Sequence, residues 1–171
     1  LPKQIITYVQ LAKEGLAKSE IAGLYSALKI FPTPFKGIYY SPLNEERKGN
    51  FIEKPLKALS GAMRCFLKTD RFYFSCSTAE ENAGRTWTPS NEVHVVSEVL
   101  SRRIDLKKRA EANLRKGSRR SRKIASLILN YGNRIIFHKI SDFDKSVTRE
   151  TPYGRFATIS QAKKDKRRFR E

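Results

Sequence analysis

Between Arg102 and Lys123 the chain places 11 Lys/Arg in 22 residues, and such a stretch cannot lie in an interior, where unpaired cations are too costly to desolvate. Ile104, Leu106, Ala110 and Leu114 give it only a thin apolar seam. It therefore reads as a surface helix with one narrow buried edge. Ser118 can cap a further helix in which Ile124, Leu127, Ile128 and Tyr131 recur at three- and four-residue spacing, and Gly132 stops it.

The stretch belongs to a wider asymmetry. The 171 residues carry 35 Lys/Arg and 17 Asp/Glu, a net charge of +18. Residues 1–50 hold seven basic and four acidic side chains, residues 51–100 six of each, and residues 101–171 hold 22 and seven. A field focused on the carboxy-terminal third attracts a polyanion, above all the phosphate backbone of a nucleic acid. An anionic membrane surface or an acidic protein would feel the same field. Hydrophobic residues make up 39% and aromatics 11%, enough for a packed core. The length suits one domain, or a module of about 50 residues joined to one of about 100.

No apolar run approaches the roughly 18 residues of a membrane span, and no secretion signal is visible. The expected location is the cytoplasm, with no membrane partner. Cys65 and Cys76 are the only cysteines; two cannot build a zinc site, and they read as buried small hydrophobes. No cofactor and no metal are expected.

Along the chain, Ile5, Tyr8, Val9 and Leu11 or Ala12 predict a helix over 4–13, and Ser19 a cap for a second helix carrying Ile21, Leu24, Tyr25 and Leu28. Gly15 turns between them. Phe35 to Tyr40 predicts a strand kinked at Gly37. Helix, turn, helix and ribbon is the order of a winged helix-turn-helix. The polar run Asn44 to Asn50 predicts a linker. Beyond it come a helix from Pro55 to Cys65, an aromatic strand over Arg71 to Ser77, a loop over 79–91, and a strand over Glu92 to Ser97. Asn133 to Ile140 predicts another strand, paired by Arg155 to Ile159, and Lys163 to Arg170 is too charged to be core. The expected fold class is α/β (α+β): a winged helix-turn-helix over 1–42, a linker over 43–50, and a basic α/β domain with a charged tail over 51–171.

In a helix-turn-helix the first turn of the second helix meets base edges. Here that turn offers Lys18 and Ser19, with Lys29 near the helix end and Lys36 on the wing. Arg102, Arg103, Arg115, Lys116, Arg119, Arg120, Arg122 and Lys123 are the candidates for holding phosphate without discrimination. An ordinary helical hairpin fits the same amino-terminal pattern. His94 and His138 sit inside strands with no metal-ligand spacing and read as packed histidines. Glu80, Glu81, Asp142 and Asp144 are acids a magnesium-dependent nuclease would need, but no second acidic cluster accompanies them, and they read as loop acids and turn caps. No phosphate-binding glycine loop and no paired Cys-x-x-Cys occurs. Arg71-Phe72-Tyr73-Phe74 could stack single-stranded bases, although a half-buried strand wants the same residues.

Two groups of residues resemble the AbiEi-type proteins, the antitoxin and repressor half of a type IV toxin–antitoxin system. Leu16-Ala17-Lys18-Ser19-Glu20-Ile21 leading to Lys36-Gly37-Ile38-Tyr39 is similar to that family's helix-turn-helix and wing. Val93-His94-Val95-Val96, Arg134-Ile135-Ile136-Phe137-His138 and Thr151-Pro152-Tyr153-Gly154-Arg155-Phe156-Ala157 are similar to strands of its carboxy-terminal domain. The resemblance implies a module that binds promoter repeats and a domain that opposes a nucleotidyltransferase-like toxin. The expectation is a non-enzymatic, duplex-DNA-binding transcriptional regulator, compatible with a homodimer. The alternatives are a nucleic-acid-acting enzyme, either a nuclease or a glycosylase-like restriction enzyme using Glu80, Glu81, His94 or His138, and an RNA- or ribosome-binding protein.

Overall fold

The chain builds two units and enters each of them twice. The first comprises the residues up to Lys68 together with Leu106–Tyr131, and the second Thr69–Asp105 with Gly132–Glu171. The computed structural model describes residues 4–171. In order the elements are β1 (Ile5–Thr7), α1 (Tyr8–Lys13), α2 (Lys18–Ser26), β2 (Phe31–Pro32), β3 (Ile38–Tyr40), α3 (Asn44–Gly49), α4 (Pro55–Leu67), β4 (Phe72–Phe74) and α5 (Cys76–Asn82). There follow β5 (Glu92–Ser97), β6 (Arg102–Asp105), α6 (Leu106–Leu114), α7 (Arg119–Leu129), β7 (Arg134–Lys139), β8 (Thr148–Thr151), β9 (Gly154–Ala157) and α8 (Ile159–Phe169). The class is mixed α/β, as the sequence predicts.

In the first unit, the expected helix over 4–13 divides. Ile5–Thr7 is a strand, paired antiparallel with Ile38–Tyr40 in a sheet of order β1-β3-β2. Thr7 then caps α1 reciprocally with Gln10: its hydroxyl oxygen accepts from the Gln10 N–H at 3.2 Å, and Gln10 Oε1 accepts from the Thr7 N–H at 2.9 Å. Ser19 is not the cap of α2. The helix begins one residue earlier, and Glu20 Oε2 accepts from the Ala17 N–H at 2.7 Å. Leu11, Ile21 and Ile30 form a small core flanked by Ile6, Leu16, Leu24, Tyr25 and Tyr39.

The β2–β3 turn departs from an open wing. Thr33, Pro34 and Phe35 are buried, the Thr33 hydroxyl donates to the Ile38 carbonyl at 2.7 Å, and Phe35 stacks on Phe66 with centroids 4.3 Å apart. Only Lys36, beside Gly37 at φ +74°, is exposed at the tip.

The expected linker over 43–50 is instead helix α3. Its polar residues cover an exposed face, while Glu46 is 2% exposed and accepts from the Tyr40 hydroxyl, the Leu43 N–H and the Glu53 N–H at 2.8, 2.8 and 2.9 Å. Helix α4 opens on Pro55, a residue pre-shaped for a first turn, and buries Ala58, Leu59, Ala62, Met63 and Leu67.

The basic stretch joins this same unit rather than a separate domain over 51–171. Helices α6 and α7 pack on each other, and α7 packs on β2. Asn50 Nδ2 donates to the Lys123 carbonyl at 3.2 Å, Asn130 Oδ1 accepts from the Ile52 N–H at 3.0 Å, and the Tyr131 hydroxyl donates to the Pro32 carbonyl at 3.4 Å.

The second unit is a mixed sheet of order β6-β7-β5-β4-β9-β8. β5 runs parallel to β7 and β4 to β9; the other pairs are antiparallel. Helix α5 packs on β5 and β9, and α8 on α5 and β9. Phe72, Tyr73, Phe74, Val95, Ile135 and Phe156 form its core, so the aromatics of β4 pack inside and none is free to stack a base. Three expectations change here. Arg102–Asp105 is a strand, the Gly154–Ala157 strand pairs with β4 and β8 rather than with β7, and the charged tail is a helix that buries Ala162 and Asp165. Among the described residues no helix is long and apolar enough to cross a membrane.

Candidate nucleic-acid interface

The net charge divides unequally between the units. The first carries 20 Lys/Arg against six Asp/Glu (+14) and the second 15 against 11 (+4). In the second unit six of the 15 Lys/Arg form ion pairs: Arg71 with Glu98 and Asp144, Arg103 with Glu171, Arg134 with Glu92, Arg155 with Glu150, Lys166 with Glu80 and Arg168 with Asp142. Asp142 and Asp144 are held below the usual carboxylate range by their arginine partners. Glu81 accepts from the Ser90 N–H at 2.7 Å. The acids considered for a nuclease are thus engaged structurally.

The candidate cations of the first unit differ from these six. Lys18, Ser19, Lys29, Lys36, Arg115, Lys116, Arg119, Arg120 and Arg122 are exposed, and Lys123 is half-buried. None of these cations forms an ion pair among the described residues. Lys18 and Ser19 open α2, whose exposed face continues through Ala22, Gly23 and Ser26; nothing lies within 4 Å of a side chain built at Gly23. Lys29 follows the end of that helix. Arg115 and Lys116 occupy the α6–α7 turn, which closes at Gly117 with φ +72°.

Arg119, Arg120, Arg122 and Lys123 fill the opening turns of α7, behind Ser118, whose hydroxyl accepts from the Ser121 N–H at 3.0 Å. That first turn contains no acidic residue, so its cations oppose the helix dipole. Burial pushes the Tyr25 phenol up, while the charges of Arg109 and Arg120 pull it down, which places cations of α6 and α7 on the α2 side of the unit. Arg102 and Arg103 stand apart, exposed on β6 of the second unit, where Arg103 lies 3.6 Å from Glu171.

The histidines read as unrelated packed residues are in fact paired. Register sets His94 opposite Ile136, two residues before His138, so both rings share one sheet face. Their planes lie within 2° and their centroids 5.4 Å apart, with His94 Nδ1 3.0 Å from His138 Nε2. Burial, with His94 beside it, brings His138 down to about 4, and burial likewise lowers His94. Both imidazoles are therefore neutral at neutral pH, and the contact is one N–H···N hydrogen bond. Cys76, the first residue of α5, offers its sulfur to the same cluster, the three donors lying within 4.8 Å of one another. Cys65 is exposed, which corrects its expected burial. Comparison with protein-family models, with curated proteins and with solved structures finds no significant match to this chain.

Proposed function

We propose that this chain is a duplex-DNA-binding protein, a regulator rather than an enzyme, that engages DNA through its first unit. The observation that carries this reading is the set of exposed cations on α2, the α6–α7 turn and α7 that no carboxylate of the described residues neutralises. The second unit carries a net charge of only +4, and six of its 15 Lys/Arg are ion-paired. A phosphate at the opening of α7 would relieve both the repulsion among Arg119, Arg120 and Arg122 and their conflict with the helix dipole.

The strand–helix–turn–helix–hairpin order supports α2 as the reading helix of this proposal. Its face of Lys18, Ser19, Ala22, Gly23 and Ser26 is small enough to approach base edges in a major groove about 12 Å wide. The covered β2–β3 turn leaves Lys36 as a single backbone contact. A repressor of the antitoxin type, opposing a nucleotidyltransferase-like toxin as the sequence resemblance implies, would use this same module.

The test is a salt titration of binding to duplex DNA. If six or more phosphates are neutralised, affinity falls about 10³-fold or more between roughly 50 and 200 mM salt. Replacing Arg119, Arg120 and Arg122 by Ala flattens the log–log slope by about one for each phosphate no longer neutralised. A wild-type slope near zero overturns the proposal.

A further inference from the structure

The Cys76, His94 and His138 cluster has no part in the nucleic-acid reading, and its donor set is that of a transition-metal site. A thiol and two imidazoles whose potential ligand atoms lie within 4.8 Å of one another, at 0%, 3% and 8% exposure, are an expensive way to fill a core that Val and Ile would fill better. Tetrahedral Zn(II), with Zn–N of about 2.0–2.1 Å and Zn–S of about 2.3 Å, sets its ligands roughly 3.3–3.6 Å apart. The two histidine nitrogens, at 3.0 Å, already stand near that separation.

Three further features fit a ligand site. Cys76 sits at φ +52°, a conformation costly for a residue with a Cβ, and the adjacent Ser75 fixes it: the Ser75 hydroxyl donates to buried Asp165 at 2.6 Å and its N–H to the His94 carbonyl at 3.0 Å. Strain held in place at a buried thiol points to a position the fold maintains. The far nitrogen of His94, Nε2, lies 3.9 Å from Glu92 Oε2, too long for a hydrogen bond but placing a carboxylate on the side of the nitrogen that carries the proton when Nδ1 is a ligand. Finally, His138 lines a cleft of about 330 Å³ with Arg103, Phe169 and Glu171, which brings one of the three donor residues, and an anionic side chain, to an opening on the surface.

We propose that Cys76 Sγ, His94 Nδ1 and His138 Nε2 bind one Zn(II) ion, with the fourth position facing the cleft that Glu171 lines. Binding replaces the His–His hydrogen bond with two metal–nitrogen bonds. The proton of that hydrogen bond moves to the other nitrogen of its own ring, and the thiol proton leaves to solvent, so that a thiolate and two neutral imidazoles hold the ion.

The experiment uses the full chain, stripped of metal with a chelator and kept reduced, and titrated with Co(II) alone. The expected result is saturation at one equivalent, with the visible bands of tetrahedral cobalt and a thiolate-to-cobalt charge-transfer band, both abolished by Zn(II). Zn(II) also raises the thermal midpoint of the stripped protein. Cys65→Ser keeps the charge-transfer band and Cys76→Ser loses it. Absence of that band in the wild-type protein overturns the site without reliance on any variant, as does a band that survives in Cys76→Ser.

Discussion

Arg109 Nη1 donates to the carbonyls of both Thr33 and Pro34, at 3.3 and 3.0 Å, and so ties α6 to the β2–β3 turn across more than 70 residues of chain. Both acceptors belong to buried residues. Arg109→Ala leaves them without this partner and is expected to lower stability by about 1–3 kcal/mol, measured by urea denaturation. Arg109→Lys, which keeps a single donor without the planar fork, is expected to fall between the two.

The cations on α2 and on α7 should fail differently. Replacing Lys18 and Ser19 by Ala narrows the gap between a preferred and a random duplex by about 1–3 kcal/mol for each base-edge interaction removed. Replacing Arg119, Arg120 and Arg122 weakens both duplexes alike. Paired titrations at fixed salt separate them; full sequence preference in the Lys18/Ser19 variant would reduce α1 and α2 to a packing hairpin.

Glu46 is a buried carboxylate at the α3 end of the first sheet, and it accepts from one hydroxyl and two backbone N–H groups. Glu46→Ala strands all three donors, at a cost of about 3 kcal/mol or more in chemical denaturation. Glu46→Gln keeps one carbonyl acceptor and costs less. Tyr40→Phe, which removes one donor and leaves the carboxylate two, costs least.

The histidine pair gives the metal-free protein an acid-sensitive core. Both folded-state values lie below the ordinary 6.5, with His138 near about 4. Around the pair stand Glu92 on β5, Cys76 and Glu81 on α5, Arg103 on β6, Asp165 and Lys166 on α8, and Glu171 beyond it. Well above 6.5 neither state binds a proton there, so the pair adds no pH dependence. As the pH falls from 6.5 toward about 4, the unfolded chain takes up protons that the folded chain excludes, and stability drops. Denaturation in the presence of chelator should show that loss, and His138→Phe should show a shallower one on a lower baseline.

Much of the regular structure is legible in the sequence because single residues decide it locally. Glu92–Ser97 and Arg134–Lys139 are rich in Val, Ile and Phe, Ser118 caps α7, and Gly132 at φ +100° follows its end. What misleads is decided at a distance. Ile5, Tyr8, Val9 and Leu11 have helical spacing, yet Ile5–Thr7 is claimed by pairing with β3. The polarity of Asn44–Gly49 conceals one buried acid, and the basic tail conceals Ala162 and Asp165 on one helical face. The candidate interface is legible in its residues but not in its grouping, since nothing local assigns α6 and α7 to the unit of α1 and α2, or Arg102 and Arg103 to the other. The histidine pair lies 44 residues apart and is created by strand register, which leaves no spacing signal; two histidines within otherwise apolar strands are its only trace.

The division of the chain has a consequence for its synthesis. The first unit cannot be completed when residue 68 leaves the ribosome, because α6, which bears Arg109, and α7, which Tyr131 follows, are made only after β4, α5, β5 and β6 of the other unit. Until then the turn at Thr33 and Pro34 lacks its donor and Phe31 lacks the cover of α7. Such distant partners slow closure of a fold, and the nascent amino-terminal segment must wait with apolar surface uncovered. The same order makes much of the first unit's positive charge a late event: a fragment ending at residue 50 holds α2 without the nine Lys/Arg that α6, α7 and the turn between them add afterwards.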